Sequence, residues 1–229
     1  MFMKHYMTSV RKIHGGAEAD TTTYYDLERA MSELYVASGD TTATTASFAV
    51  FYMAKFPHVL DRLSSEVDAA WTDTEDLPYL LESMPYTRAT VHELLRHISI
   101  AYLSQRVLTS EMEIDGYRFP AKTVIAANLW GVHHDKTYWK DPENFRPERF
   151  IQEVDGKPTF VKDERLFPFG LGRRRCIGEG LAMDELFVFL IYIVKNFDIK
   201  APEGEELDLN PIVGMLHRCP PFRCTLSRR

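Results

Sequence analysis

Phe169-Gly170-Leu171-Gly172-Arg173-Arg174-Arg175-Cys176-Ile177-Gly178-Glu179 places a single cysteine between a glycine-rich loop and the expected start of a helix. A sulfur so placed faces backbone N–H groups and the positive end of a helix dipole. Three arginines precede it. Both features favour thiolate over thiol, and the thiolate is the form that binds iron or acts as a nucleophile. The glycines let the backbone turn tightly beneath a flat ligand. Two other readings of this loop remain open. A lone cysteine is commonly a buried structural residue. A cysteine nucleophile would need a partner histidine, which the sequence does not assign.

On the C-terminal side of the loop, Gly178 to Asn196 reads as a buried helix, apolar on nearly every side. Beyond it, Pro202, Pro211, Pro220 and Pro221 confine the chain to short strands and turns. On the N-terminal side, Lys140 to Phe150 is proline-rich and reads as an irregular loop. Thr123 to Asn128 reads as a short strand. Glu111 to Pro120 reads as a hairpin turning at Asp115-Gly116. Met84 to Ile98 and His58 to Trp71 read as amphipathic helices, the latter with Val59, Leu60, Leu63 and Val67 inward.

The segment from about Tyr24 to Lys55 has Leu27, Met31, Leu34 and Tyr35 on one helical face, with Asp20 and the threonines as candidate caps. Pro57 closes it. At 1.5 Å per residue it would be roughly 48 Å long, enough to cross a domain. Gly15 and Gly16 suggest a loop before it.

Two further groups stand out. Glu93-Leu94-Leu95-Arg96 puts an acid and a base at i, i+3 on one helix face. Taken alone, this is an ordinary ion pair worth under ~1 kcal/mol. His92 and His97 flank it, but a helical zinc motif needs histidines at i and i+4. These are five apart, about 140° around the helix, so zinc is rejected. In the long helix, Ala37-Ser38-Gly39-Asp40-Thr41-Thr42 weakens helical propensity where the neighbours Val36, Phe48 and Val50 are apolar. Such a local cost often marks a functional site.

The whole chain sets outer bounds. Its 229 residues are 45% hydrophobic and 26% charged, with a net charge of −6. That composition fits one large globular domain and carries no basic surplus for nucleic acid. Three cysteines argue against a disulfide framework. No stretch reaches the ~18 apolar residues of a membrane span, and Met1 to Lys12 lacks the apolar core of a signal peptide.

Phe169, Gly172, Arg174, Cys176 and Gly178 together resemble the cysteine loop of the cytochrome P-450 superfamily. The order of motifs is similar too: the long helix, then Glu93-x-x-Arg96, then Pro147-Glu148-Arg149-Phe150, then the loop. The texture of Trp130 to Asp135 and of Asp141 to Phe145 is similar to animal microsomal members. The resemblance implies a mainly α fold with a small β part, the C-terminal haem-binding half of the family fold. Residues 1–229 would form a single partial domain, with the N-terminal half and the membrane anchor absent.

It also implies roles. Cys176 would be the axial ligand of haem b (iron protoporphyrin IX), with Phe169 beside the sulfur. Arg174 and Arg106 would meet the propionates, and Gly178 completes the loop. Glu93, Arg96 and Arg149 would form a buried architectural triad. Asp40 and Thr41 would handle protons during dioxygen activation, and a cysteine ligand favours O–O cleavage. Ala37, Ile100, Leu103, Val213 and Met215 would line an apolar pocket for a lipophilic substrate. Ser38-Gly39 departs from the family order, displacing the glycine by one position, about 100° around the helix.

The implied activity is a haem-thiolate monooxygenase using O2 and electrons from an NADPH-cytochrome reductase. The full-length family sits on the cytosolic face of the endoplasmic reticulum membrane, and membrane association would come only through the missing N-terminal part. The alternatives are a truncated, non-catalytic relative with weak or no haem binding, and a haem-thiolate isomerase or dehydratase that needs no reductase.

Overall fold

The structure is a computed structural model that describes residues 21–71 and 76–229, the side chains of 21–23 excepted. The loop expected at Gly15-Gly16 and the cap expected at Asp20 lie outside the described residues. The chain divides into two units, Met1–Ala43 and Thr44–Arg229, and the boundary falls inside the first described helix, α1 (Thr21–Lys55).

In the first unit, the helical face of Leu27, Met31, Leu34 and Tyr35 is only partly buried. Leu27 is buried, whereas Met31, Leu34 and Tyr35 are exposed. Period alone puts these residues on one face, but burial requires a neighbour on that face. Arg29 and Glu33 pair at 2.9 Å along the exposed surface.

In the second unit, the end of α1 turns hydrophobic on all sides, and Phe48, Ala49, Phe51, Tyr52, Met53 and Ala54 are all buried. Pro57 does more than end this helix. It is the first residue of α2 (Pro57–Ala70), where its missing N–H costs nothing. The buried residues of α2 are Val59, Leu60, Leu63 and Val67, the four expected. A short α3 (Leu77–Ser83), capped by the Asp76 side chain and carrying a proline in its first turn, leads into α4 (Pro85–Ile98).

The helix α4 is the centre of this unit. It is buried nearly all round, and it packs against α2 and against α7 (Glu179–Asn196). Its N-terminal amides are capped from outside: the Glu66 carboxylate of α2 accepts from the N–H groups of Tyr86 at 2.8 Å and Thr87 at 2.7 Å. It also accepts the Thr87 hydroxyl at 2.7 Å. Burial pushes the Glu66 carboxyl up, and those same bonds pull it back down. At its other end α4 stops in a left-handed Ser99, φ 39°.

The helix α7 differs from expectation. Leu186, Phe187, Leu190, Ile191 and Val194 are buried, but Leu181 and Tyr192 are exposed, so it has one core face rather than burial on every side.

The β part consists of five two-stranded antiparallel ladders among the described residues. The strands β1 (Leu103–Val107) and β4 (Val124–Asn128) pair around the expected hairpin β2 (Met112–Ile114) and β3 (Tyr117–Phe119). Asp115 and Gly116 have φ of 50° and 81°, the paired positive values of a tight hairpin turn. A second such hairpin, β5 (Ile151–Val154) with β6 (Lys157–Phe160), turns on Asp155-Gly156 at 51° and 73°. Between the two hairpins lie α5 (Leu129–His133), α6 (Lys136–Trp139) and the 3-10 turn Pro147–Phe150. The strands β7 (Phe197–Lys200) and β10 (Thr225–Arg228) pair beside α7, with β8 (Ile212–Val213) and β9 (His217–Arg218) between them in sequence. The fold is mainly α with a small β part. Among the described residues no helix is long and apolar enough to cross a membrane.

Four histidines of this unit carry a pH dependence. Burial pushes His92, His97, His133 and His134 down to about 4. Their ring nitrogens are held as neutral groups: the Tyr52 hydroxyl donates to His97 Nδ1 at 2.6 Å, while His97 Nε2 donates to Glu143 O at 2.9 Å. In the unfolded chain these rings titrate near 6.5. Between about pH 6.5 and 4 the unfolded state therefore binds more protons, and stability falls as pH falls. Each ring contributes at most roughly 1.4 kcal/mol per pH unit in that window, and partly exposed His134 less. Glu66 opposes the trend, but it is one group against four. Urea midpoints are expected to hold nearly level above about pH 6.5 and to drop steadily below it. A flat profile would contradict burial of the neutral rings.

Candidate functional site

The cysteine loop is built by two left-handed glycines. Gly170 and Gly172 have φ of 75° and 69°, which a side chain would strain. The first closes a turn, with Gly170 N donating to Phe167 O at 2.9 Å. The second opens the 3-10 turn Gly172–Arg174, with Arg175 N donating to Gly172 O at 3.1 Å. The loop then returns on itself: Cys176 N donates to Phe169 O at 2.9 Å. Gly178 ends it as the N-cap of α7. A Cβ on Gly178 would stand 3.9 Å from Cys176 Sγ, ordinary contact, so this glycine leaves the sulfur clear without being sterically forced.

Cys176 is exposed, which removes the reading as a buried structural cysteine. Phe169 packs against the hydrophobic core and anchors the loop. Along the loop and the first turn of α7, Leu171 (66%), Ile177 (84%) and Leu181 (64%) are exposed. Single exposed apolar residues are normal, but three in this short stretch of sequence leave the cysteine segment with uncovered apolar surface. The three arginines divide. Arg175 pairs with Glu179, which also meets Lys162 at 3.5 Å. Arg173 and Arg174 extend into solvent without an ion-pair partner among the described residues. An exposed thiol in a segment with exposed apolar side chains and guanidinium groups outside any ion pair fits an apolar ligand that carries anionic groups.

Behind the loop lies a buried polar network. Arg96 donates Nε to Glu93 Oε2 at 2.7 Å and Nη2 to Glu93 Oε1 at 2.9 Å. It also donates to His133 O and Pro142 O, both at 2.8 Å. Arg149 Nε reaches Glu93 Oε1 at 3.1 Å, and Arg149 Nη1 reaches Asp141 Oδ1 at 2.8 Å. Arg146 N adds a further bond to Glu93 Oε1 at 2.8 Å. With Arg146 Nη2 at 3.1 Å from Asp141 Oδ1, two acids thus meet three guanidinium groups, and among the described residues no buried side-chain polar atom lacks a partner. Such satisfaction is what makes a buried charge cluster tolerable. The guanidinium of Arg96 also lies 5.4 Å from the Trp139 ring centroid.

The remaining sequence candidates lie as follows. Arg106 is exposed on β1, with Nη1 donating to Gln105 O at 2.6 Å. Ile100 is buried in the core at 7% exposure, so core packing accounts for it better than a pocket wall does. Leu103, Val213 and Met215 are exposed apolar residues, Met215 at 92%. The segments that carry them are clasped together: the Tyr102 hydroxyl donates to Gly214 O at 2.6 Å, and Tyr102 stacks on His217 at 4.4 Å. His217 Nδ1 in turn donates to Ile98 O at 2.8 Å. Sequence reasoning missed His217, and no local pattern marks it. Ala37, Asp40 and Thr41 belong to the first unit. There the Thr41 hydroxyl bonds back to Ala37 O at 2.8 Å, and Asp40 is exposed. Among the described residues, no group of three or more His, Cys, Asp or Glu side chains is placed to hold a metal ion.

A family model described as Cytochrome P450 matches residues 1–224. Among curated proteins, the chain is 33% identical over 204 residues to cytochrome P450 1A1 of Opsanus tau, covering 87% of this chain and 39% of that one. It is 40% identical over 178 residues to cytochrome P450 2L1 of Panulirus argus, covering 76% and 35%. It is 33% identical over 216 residues to cytochrome P450 2J2 of Homo sapiens, covering 93% and 42%. The chain spans about two fifths of the length of these relatives.

Proposed function

The chain belongs to the cytochrome P450 family, and on that premise we propose that Cys176 is the thiolate ligand of haem b in a monooxygenase acting on a lipophilic substrate. The observation that carries this reading is the exposed Cys176 thiol, held on a two-glycine loop whose backbone returns on itself through Cys176 N to Phe169 O at 2.9 Å. When bound, the haem supplies activation of dioxygen, and thiolate ligation favours O–O cleavage.

The chain's own residues supply the rest. Cys176 brings one negative charge to the ring's metal. Phe169, fixed in the core, limits how far the sulfur can move. Arg174 holds one propionate by charge-assisted hydrogen bonds, and Arg106 holds the other once its side chain leaves its neighbour's carbonyl. Gly178 keeps bulk away from the sulfur. The Glu93–Arg96–Arg149 network takes no part in chemistry and fixes the ground beneath the loop. Asp40 and Thr41 together handle protons, Thr41 through Oγ1 when that hydroxyl turns away from Ala37 O. Leu103, Val213 and Met215 offer apolar surface, and apolar surface selects apolar substrates. Electrons come from an NADPH-dependent reductase at the cytosolic face of the endoplasmic reticulum.

The test loads the full chain with haem, reduces it and adds carbon monoxide. The long-wavelength Soret band of thiolate ligation is the expected result, and free haem in its place overturns the ligand assignment. Turnover of a lipophilic substrate is then measured with and without NADPH and reductase. Turnover that needs neither would make the chain an isomerase or dehydratase instead.

A further inference from the structure

We infer that His133 is a positioning residue for the cysteine loop, its two ring nitrogens joining α4 on one side to Phe167 on the other. The inference rests on Cys176 being the ligand only for its functional consequence; the tie itself is a matter of geometry. His133 is fully buried at the end of α5.

Hydrogen bookkeeping fixes its tautomer. The Ser99 hydroxyl lies 2.8 Å from Arg96 O, an atom that can only accept, so the hydroxyl spends its one proton there. Towards His133 Nδ1, at 2.9 Å, the same oxygen therefore accepts, and Nδ1 carries the hydrogen. That leaves Nε2 with a lone pair, and Phe167 N donates to it at 3.4 Å. The bond is long, but a second contact reinforces it: the Phe167 ring stands against the imidazole at 5.5 Å. Burial keeps the ring neutral, as this arrangement requires.

The connection runs in both directions. His133 O accepts from Arg96 Nη1 at 2.8 Å, so the residue is joined to the buried ion network through its backbone as well. On the loop side, Phe167 O accepts from Gly170 N and Phe169 O accepts from Cys176 N, both at 2.9 Å. His133 is thus the only histidine among the described residues whose ring bonds both α4 and the segment leading into the loop. Its two nitrogens have opposite roles, and substitution can separate them.

His133→Gln puts a carbonyl oxygen near the position of Nε2 and keeps an acceptor for Phe167. His133→Asn puts an amide N–H near Nδ1 and keeps the donor to Ser99 while losing that acceptor. The first measurement is amide hydrogen exchange on the full chain, which needs no haem. In His133→Asn, exchange at Phe167, Gly170 and Cys176 is expected to speed up at least about tenfold, with the interior amides of α4 unchanged. His133→Gln is expected to stay near wild type at the loop. The second measurement is the reduced carbon monoxide spectrum, where only His133→Asn should lose long-wavelength band intensity. Equal loop exchange in the two variants overturns the inference, as does an equal rise throughout α4. If the exchange pattern holds but wild type itself gives no long-wavelength band, the tie stands and the ligand assignment of Cys176 fails.

Discussion

Replacing Arg96 with methionine is expected to lower stability by on the order of 3–5 kcal/mol, read as a fall in the urea midpoint of the full chain. The side chain is fully buried, and it makes four hydrogen bonds to Glu93, His133 O and Pro142 O. Methionine fills much of the volume but leaves both carbonyl oxygens without donors. It also strips the buried Glu93 carboxylate of one of its two guanidinium partners, and an uncompensated buried charge is the expensive part. A domain of this kind has only about 5–15 kcal/mol in total, so the loss is a large share.

Arg96→Lys sharpens the test. It keeps the charge but cannot reproduce the planar fork that reaches two oxygens of Glu93 and two carbonyls at once. A loss of roughly half the methionine effect is expected. The exposed pair of Arg118 and Glu111 is the control, since screening leaves such pairs worth under ~1 kcal/mol. If Arg96→Met cost no more than Arg118→Met, the network would be ornamental and the loop above it unsupported.

How much of this was legible in the sequence depended on whether the signal was local. Asp115-Gly116 and Asp155-Gly156 adopt the same positive-φ pair, yet only the first had been read as a hairpin. The second lies just past a proline-rich loop, and Pro158 sits within its second strand, where a proline weakens the strand signal. The buried stripe of α2 was readable because one face of that helix is wet. The Glu93–Arg96 pair of α4 taken alone reads as a weak surface pair, because that helix is buried nearly all round and its charges are satisfied by distant backbone. Only the resemblance pointed inward. For the same reason His133 and His217 were invisible: their partners lie 34 and 119 residues away. The cysteine loop was the opposite case, since its glycines, arginines and sulfur lie within eleven consecutive residues. The threonine segment at 40–41 was read from a local weakening of helix propensity, which says that a cost exists but not what it faces.

Cys176→Ser is expected to separate ligation from folding. The thiol is exposed, and the residue is tied into the loop through its backbone N–H to Phe169 O, which serine keeps. Stability of the haem-free chain should therefore change by no more than about 0.5 kcal/mol, the range of an ordinary surface substitution. The haem-loaded chain should lose the long-wavelength Soret band altogether, because a serine hydroxyl does not offer a soft anionic sulfur at neutral pH. The other two cysteines give the contrast. Burial pushes Cys219 up to about 11 and raises Cys224 as well, so both stay protonated at neutral pH and make poor ligands. Cys219 also packs against the core, where losing sulfur for oxygen costs packing and adds a polar group. Cys219→Ser should thus show the reverse pattern, a lower urea midpoint with the band intact. Were the band to survive Cys176→Ser and vanish in Cys219→Ser, the metal's partner would be a half-buried thiol that the loop never presented, and the two-glycine turn would have no chemical purpose.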